Sequence, residues 1–159
     1  MITGMETIRV LMICHGNICR SPMAEFVLKD MLQKKGLDEK VFVASVATST
    51  EEIGNPVHRG TKKILKDAGI SCEGKYAVQL KKEDYEKYDY LLVMEHHNIR
   101  YAMDILGGDP KGKVKRLLDF SLKPRDIADP WYTGDFDTTY AAVVEGCRAL
   151  LVDIKKRLR

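Results

Sequence analysis

The sequence has little of what marks a fibrous, secreted or membrane protein. Of its 159 residues, 4 are cysteine, 5 proline, 12 glycine and 1 tryptophan. Cys14, Cys19, Cys72 and Cys147 are too few and too scattered for the disulfide framework of a small secreted domain. Glycine and proline are too sparse for a collagen-like or low-complexity chain. There is no internal repeat and no linker. No apolar run approaches the ~18 residues of a membrane span. The longest run near the N-terminus, Val10 to Cys14, leads into a charged helical stretch rather than a small-residue cleavage site, so no signal peptide is expected. The net charge of +3, from 26 basic and 23 acidic residues, falls short of a nucleic-acid binder's footprint. These absences predict a cytoplasmic protein with no membrane or nucleic-acid partner.

What remains is an ordinary globular composition, 45% hydrophobic and 31% charged. The length predicts one domain over residues 1–159, read as a monomer. Met1 to Thr7 carry no pattern and are expected to fray. Ile8 to Ile13 reads as an apolar strand. Pro22 to Lys35 has a helical stripe of Ala24, Val27, Leu28 and Met31, closed by Gly36. Val41 to Ala47 reads as a second strand. Asn55-Pro56 is expected to open a second helix, with Ile64, Leu65 and Ala68 on one face and Gly69 at its end. Tyr90 to Met94 reads as a third strand, Asn98 to Leu106 as a helix stopped by Gly107-Gly108, and Val114 to Leu118 as a fourth strand. The last helix carries a stripe from Tyr140 to Leu158. Strands alternating with helices predict an α/β fold: one open parallel sheet of about four strands with helices on both faces. Right-handed crossovers place the strand-to-helix loops at one sheet edge, where ligands bind.

The first such loop reads Cys14-His15-Gly16-Asn17-Ile18-Cys19-Arg20, followed by Ser21-Pro22. A helix N-terminus offers partial positive charge and free N–H groups to an anion. Gly16 lets the backbone curl and Asn17 tolerates left-handed geometry, so the N–H groups can form an anion nest. Pro22 suits a first helical turn. Arg20 can fork onto two phosphate oxygens. At the base of the nest, Cys14 is placed where its thiolate is favoured and faces a bound phosphate. The bland alternative is that Cys14 and Cys19 are packed thiols and Arg20 pairs a carboxylate. The strand before the motif and the proline-led helix after it favour the chemical reading.

Cys14 to Pro22 resembles the signature loop of the low-molecular-weight protein tyrosine phosphatases. Further motifs fall in that family's order. They are Ser45 at the second strand, Gly54-Asn55-Pro56, Tyr88-Asp89, Met94-Glu95 with Asn98, and Asp129-Pro130-Trp131-Tyr132. The resemblance implies a phosphoric monoester hydrolase with a phosphate loop after the first strand and no cofactor. Its substrates would be phosphotyrosine proteins or small aryl phosphates, and its product inorganic phosphate. Cys14 would attack phosphorus, Arg20 hold the equatorial oxygens, and Asp129 serve as general acid and then base. His15, Gly16, Ile18 and Cys19 would complete the loop. Ser21 would hydrogen-bond the sulfur, alongside an ordinary role as helix cap. Asn17 and Ser45 would fix the loop. By its residues alone Asp129 is also a plain turn aspartate, since Asp-Pro is a common turn pair. The four histidines, His15, His58, His96 and His97, have no ligand spacing, so no metal is expected.

The sequence departs from the eukaryotic members at several positions. His15 stands where they have leucine. Glu51 and Glu52 stand on the expected substrate rim where they place an aromatic residue and asparagine, and Val78 replaces an arginine. Trp131 and Tyr132 remain for an opposite wall, with satellite core as their alternative role. Other readings stay open. Arsenate reductases on this fold add two cysteines after the second helix, and residues 75–94 contain none. Protein arginine phosphatases have threonine where Ile18 stands. A non-catalytic anion-binding module would not need Cys14, Arg20 and Asp129 together. Cys14 and Cys19 are five residues apart in a curled loop, which predicts reversible redox control by a disulfide, with packing under the loop as the alternative role of Cys19.

Overall fold

A computed structural model describes residues 7–158, so the patternless start lies outside it except for Thr7. Four strands, β1 (Ile8–Cys14), β2 (Val41–Ala47), β3 (Tyr90–Val93) and β4 (Val114–Arg116), form one sheet in the order β2-β1-β3-β4. All neighbours are parallel, with Ile8 opposite Val41, Val10 opposite Tyr90 and Leu91 opposite Val114. The helices are α1 (Arg20–Lys34), α2 (Arg59–Asp67), α3 (Asp84–Lys87), α4 (His96–Leu106), α5 (Pro130–Thr133) and α6 (Phe136–Arg157).

Alternate residues of a strand face opposite sides of the sheet. Val10 and Met12 pack on one side with Leu28 of α1 and with Val143, Cys147 and Leu150 of α6. Leu11 and Ile13 pack on the other with Tyr85 of α3 and with Ala102 and Leu106 of α4. Covering both faces is why β1 reads as a continuous apolar run. Cys14 ends β1 on the α1 and α6 side.

Several boundaries differ from the sequence reading. Helix α1 begins at Arg20, two residues before Pro22, and buries Leu32 while Met31 is only partly covered. Helix α2 begins at Arg59 rather than Asn55-Pro56. Pro56 instead bridges Tyr76 antiparallel, while Gly54 N–H and Asn55 C=O bond to Ala77, which keeps that segment extended. Ala68 lies past the end of α2 and is exposed. Strand β3 ends at Val93, one residue short of Met94. Strand β4 stops at Arg116, because Leu117 and Leu118 turn into a 3-10 helix (117–120) and bury their side chains there. Helix α4 starts at His96, with Asn98 Oδ1 accepting from the N–H groups of Met94 and Glu95 at 3.2 and 3.1 Å. Helix α6 starts at Phe136, four residues before Tyr140, capped by Asp135.

The carboxyl ends of β1 and β3 lie side by side and position the site. The loop after β1 runs into α1. At the end of β3, Met94 C=O accepts from Ile127 N–H at 2.9 Å, which brings the segment leading to Asp129 alongside.

Candidate active site

The loop between β1 and α1 wraps around the Cys14 side chain. Asn17 N–H and Ser21 N–H point at Cys14 Sγ, at 3.2 and 3.4 Å, and Ser21 Oγ lies 3.0 Å from it. Asn17 has φ of 59°, the left-handed geometry expected of it. Gly16 is closely covered: a Cβ there would sit 3.3 Å from Glu52 Cγ, a tight contact that the Glu52 side chain would have to relieve. Ser21 does not cap α1. Its hydroxyl is turned to Cys14 and Asn17, and the N-cap residue is Cys19, with no side-chain cap bond.

Beneath the loop runs a buried polar chain whose donor direction can be assigned. Asn17 Oδ1 accepts from Val78 N–H at 3.1 Å, so Nδ2 faces inward. It donates to Ser21 Oγ at 2.8 Å and to Ser45 Oγ at 2.9 Å. Ser45 gives its own proton to Glu25 Oε1 at 2.5 Å. Ser21, already accepting from Asn17, keeps its proton for Cys14 Sγ, which is closer than the Val46 carbonyl at 3.4 Å. Glu25 is 5% exposed and is matched by two lysines. Lys29 Nζ lies 2.5 Å from Oε2, and Lys75 Nζ lies 3.8 Å from Oε1 while donating to Ser45 C=O at 2.7 Å. Burial holds Lys75 below the usual lysine range against the opposing pull of Glu25.

Arg20 is 2% exposed. Its Nη1 donates to Ile127 C=O at 2.9 Å and to Glu95 Oε2, and its Nη2 donates to Asp129 Oδ2 at 3.3 Å. Asp129 Oδ1 accepts from Trp131 N–H at 3.0 Å and caps α5. The turn role and the position facing Arg20 therefore hold together. Thr48 N–H and Ser49 N–H bond to the carbonyls of Cys14 and His15, at 2.9 and 3.0 Å, which draws the loop after β2 over the phosphate loop.

One pocket is lined by Cys14, Arg20 and Asp129 together with His15, Gly16, Ile18 and Cys19. Glu51 and Glu52 form one side of its mouth, and Trp131 and Tyr132 another. His15 Nε2 and Glu51 Oε2 are 3.1 Å apart across the rim. Asn17, Ser21 and Ser45 lie below the pocket in the polar chain. Burial, reinforced by the nearby Cys14 and Asp129, pushes the Cys19 thiol up to about 12.

Sequence reasoning gave no role to Glu25, Lys75 or Glu95. Glu25 did leave a signal, an acid four residues after Ser21 and three before Leu28, on the buried face of α1. Glu95 stood in the Met94-Glu95 motif without a role, because Arg20 is distant in the chain, and Lys75 left no signal.

Fold and site together define a parallel α/β protein with a cysteine-based anion loop at the carboxyl edge of its first strand. The family model for low molecular weight phosphotyrosine protein phosphatases matches residues 9–159. The low molecular weight protein-tyrosine-phosphatase YfkJ of Bacillus subtilis is 40% identical over 151 residues, covering 94% of this chain and 97% of that protein. Its crystal structure superposes with a TM-score of 0.92, over 96% of this chain and 97% of the other. The low molecular weight protein tyrosine phosphatase SP-PTP of Streptococcus pyogenes is 34% identical, with a TM-score of 0.82 and 93% of each chain covered. The chain belongs to the low molecular weight phosphotyrosine protein phosphatase family.

Proposed function

We propose that the protein is a protein tyrosine phosphatase that hydrolyses phosphotyrosine and aryl phosphates through a phosphocysteine on Cys14. The observation that carries this reading is one pocket holding Cys14 Sγ, ringed by donors, beside Arg20 and Asp129. A phosphate entering the pocket is held by Arg20 while the Cys14 thiolate attacks phosphorus. The phosphorus–oxygen bond to the substrate breaks, its electron pair passes to the leaving oxygen, and Asp129 supplies the proton. Asp129 then takes a proton from water as that water attacks the phosphocysteine. The sulfur–phosphorus bond breaks, its electron pair returns to Sγ, where Ser21 donates a hydrogen bond, and inorganic phosphate is released.

Glu95 and Ile127 C=O fix Arg20 from behind. Asn17 and Ser45 fix the loop from below. His15, Glu51, Glu52, Trp131 and Tyr132 form the walls that the leaving group meets. The chain acts as a single domain and a monomer. A cytoplasmic location is supported by four unbridged cysteines, which suit a reducing compartment. Among the described residues no helix is long and apolar enough to cross a membrane.

Rapid quench with an aryl phosphate tests the reading. A burst of phenol should precede steady turnover, and peptide mass spectrometry should find phosphate on Cys14. Cys14→Ser should abolish turnover while phosphate still binds. Turnover retained within ~10-fold in that variant would overturn the reading.

A further inference from the structure

Three aromatic rings meet beside the pocket. The His58 imidazole stacks on Phe136, with centroids 5.2 Å apart and planes inclined by 17°. It also forms a T-shaped pair with Trp131, at 5.6 Å and 78°. Phe136 reaches this position because residue 60 is glycine, where a Cβ would lie 2.5 Å from the Phe136 ring. His58 is also fixed by its backbone and its ring nitrogen. Its N–H donates to Ile18 C=O in the phosphate loop at 2.8 Å, and Nδ1 accepts from Gly60 N–H at 3.0 Å, capping α2. Trp131 is 58% exposed, lines the pocket mouth and follows Asp129 by two residues. Its indole therefore has much of its surface in solvent, and the His58 ring is a rigid partner anchored to the loop that holds phosphate.

We propose that His58 is the positioning residue for Trp131, fixing the indole relative to the phosphate loop so that a substrate's ring meets a wall already in place. This rests on the phosphatase reading of the pocket. An edge-to-face aromatic pair corresponds to about two- to twelvefold in an equilibrium. Wall preorganisation acts on the bound ring and not on the phosphorus chemistry, so the effect falls on KM rather than kcat.

Two substitutions separate the ring of His58 from its capping nitrogen. His58→Asn supplies a good N-cap acceptor but no ring. His58→Phe supplies a ring but no acceptor. Trp131 is the single tryptophan of the sequence, so fluorescence excited at the red edge of tryptophan absorption, clear of the tyrosines, reports on it alone. His58→Asn should lower the fluorescence anisotropy, increase quenching by acrylamide, and raise KM for an aryl phosphate about two- to twelvefold with kcat within about twofold. His58→Phe should keep the wild-type anisotropy, quenching and KM, while its Tm falls with the lost cap. The opposite pattern, with Phe perturbed and Asn not, would show that His58 acts only through the cap. Equal perturbation in both variants, or in neither, would also overturn the proposal. The fluorescence readouts need no turnover. A wild-type protein inactive on aryl phosphate would count against the phosphatase reading alone, and the fluorescence of the two variants would still decide the role of His58.

Discussion

Asp129 Oδ2 accepts a hydrogen bond from Arg20 Nη2 at 3.3 Å, so the proposed acid and the proposed phosphate ligand are joined to each other. A phosphate dianion competes with Asp129 for the same guanidinium edge. Asp129→Asn should therefore have two effects of opposite sign. Turnover of a phosphate ester with a poor leaving group should fall by about 10²–10⁴-fold, and that of a good leaving group much less, because the latter hardly needs a proton. Inorganic phosphate should inhibit at lower concentration, because a negative charge has been removed beside its site. A leaving-group series with phosphate inhibition constants measures both. Equal slowing across the series would show that Asp129 does something other than proton donation.

The same pair shows where sequence reasoning stops. Cys14 to Pro22 is contiguous, so strand end, curl, arginine and helix start are read together, although α1 begins at Arg20, two residues before Pro22. Asp129 is different. It lies 109 residues from Arg20. Pro130 marks it as an extended loop aspartate, but only the resemblance gave it the role of acid. Glu95 meets Arg20 from 75 residues away and Lys75 meets Ser45 from 30, pairings that no local pattern encodes. The fold was legible where periodicity was long, as in β1, β2 and α6. It failed at Asn55-Pro56, where a strand-like bridge to Tyr76 overrode a helix-start signal, and at Leu117-Leu118, where a short apolar run suits either a strand or a buried turn.

Ile18 lines the pocket at 9% exposure and packs with Cys19, Ala77 and Phe136. Its branched side chain is expected to fill space beside the leaving group. Ile18→Thr should raise phosphoarginine hydrolysis relative to phosphotyrosine hydrolysis, with some loss of Tm from the lost packing. The measurement is the ratio of kcat/KM for the two substrates. An unchanged ratio would move the choice to the other walls, Trp131 and Tyr132.

Glu51 and Glu52 give one side of the pocket mouth negative charge, and His15 Nε2 lies 3.1 Å from Glu51 Oε2. Acidic residues flanking a phosphotyrosine would meet repulsion there. The double substitution Glu51→Gln with Glu52→Gln should raise kcat/KM for an acidic phosphopeptide relative to a neutral one by about three- to tenfold at low salt. Both groups are accessible to solvent, so the gain should shrink as ionic strength rises. A gain of the same size at high salt would point to reshaping of the rim instead of charge.

Cys19 is expected to set the fate of Cys14 once Cys14 is oxidised. Peroxide converts a thiolate to a sulfenic acid. A second thiolate can then attack that sulfur, so that the sulfur–oxygen bond breaks, the disulfide forms and hydroxide leaves as water. Cys19 lies in the same pocket, but its thiol is pushed up to about 12, chiefly by burial. Near pH 7 it is held protonated, and the attacking thiolate is scarce. Raising the pH toward that value increases the thiolate about tenfold per unit, so capture should be slow at neutral pH and quicken toward pH 9. With oxidation brought to the same extent at each pH, a thiol reductant should restore more activity at pH 9 than at pH 7. A Cys14–Cys19 peptide should grow in parallel in the mass spectrum. In Cys19→Ser the gain with pH should vanish, because the sulfenic acid passes on to sulfinic acid. Equal recovery in wild type and Cys19→Ser at both pH values, with no linked peptide, would leave Cys19 as packing beneath the loop.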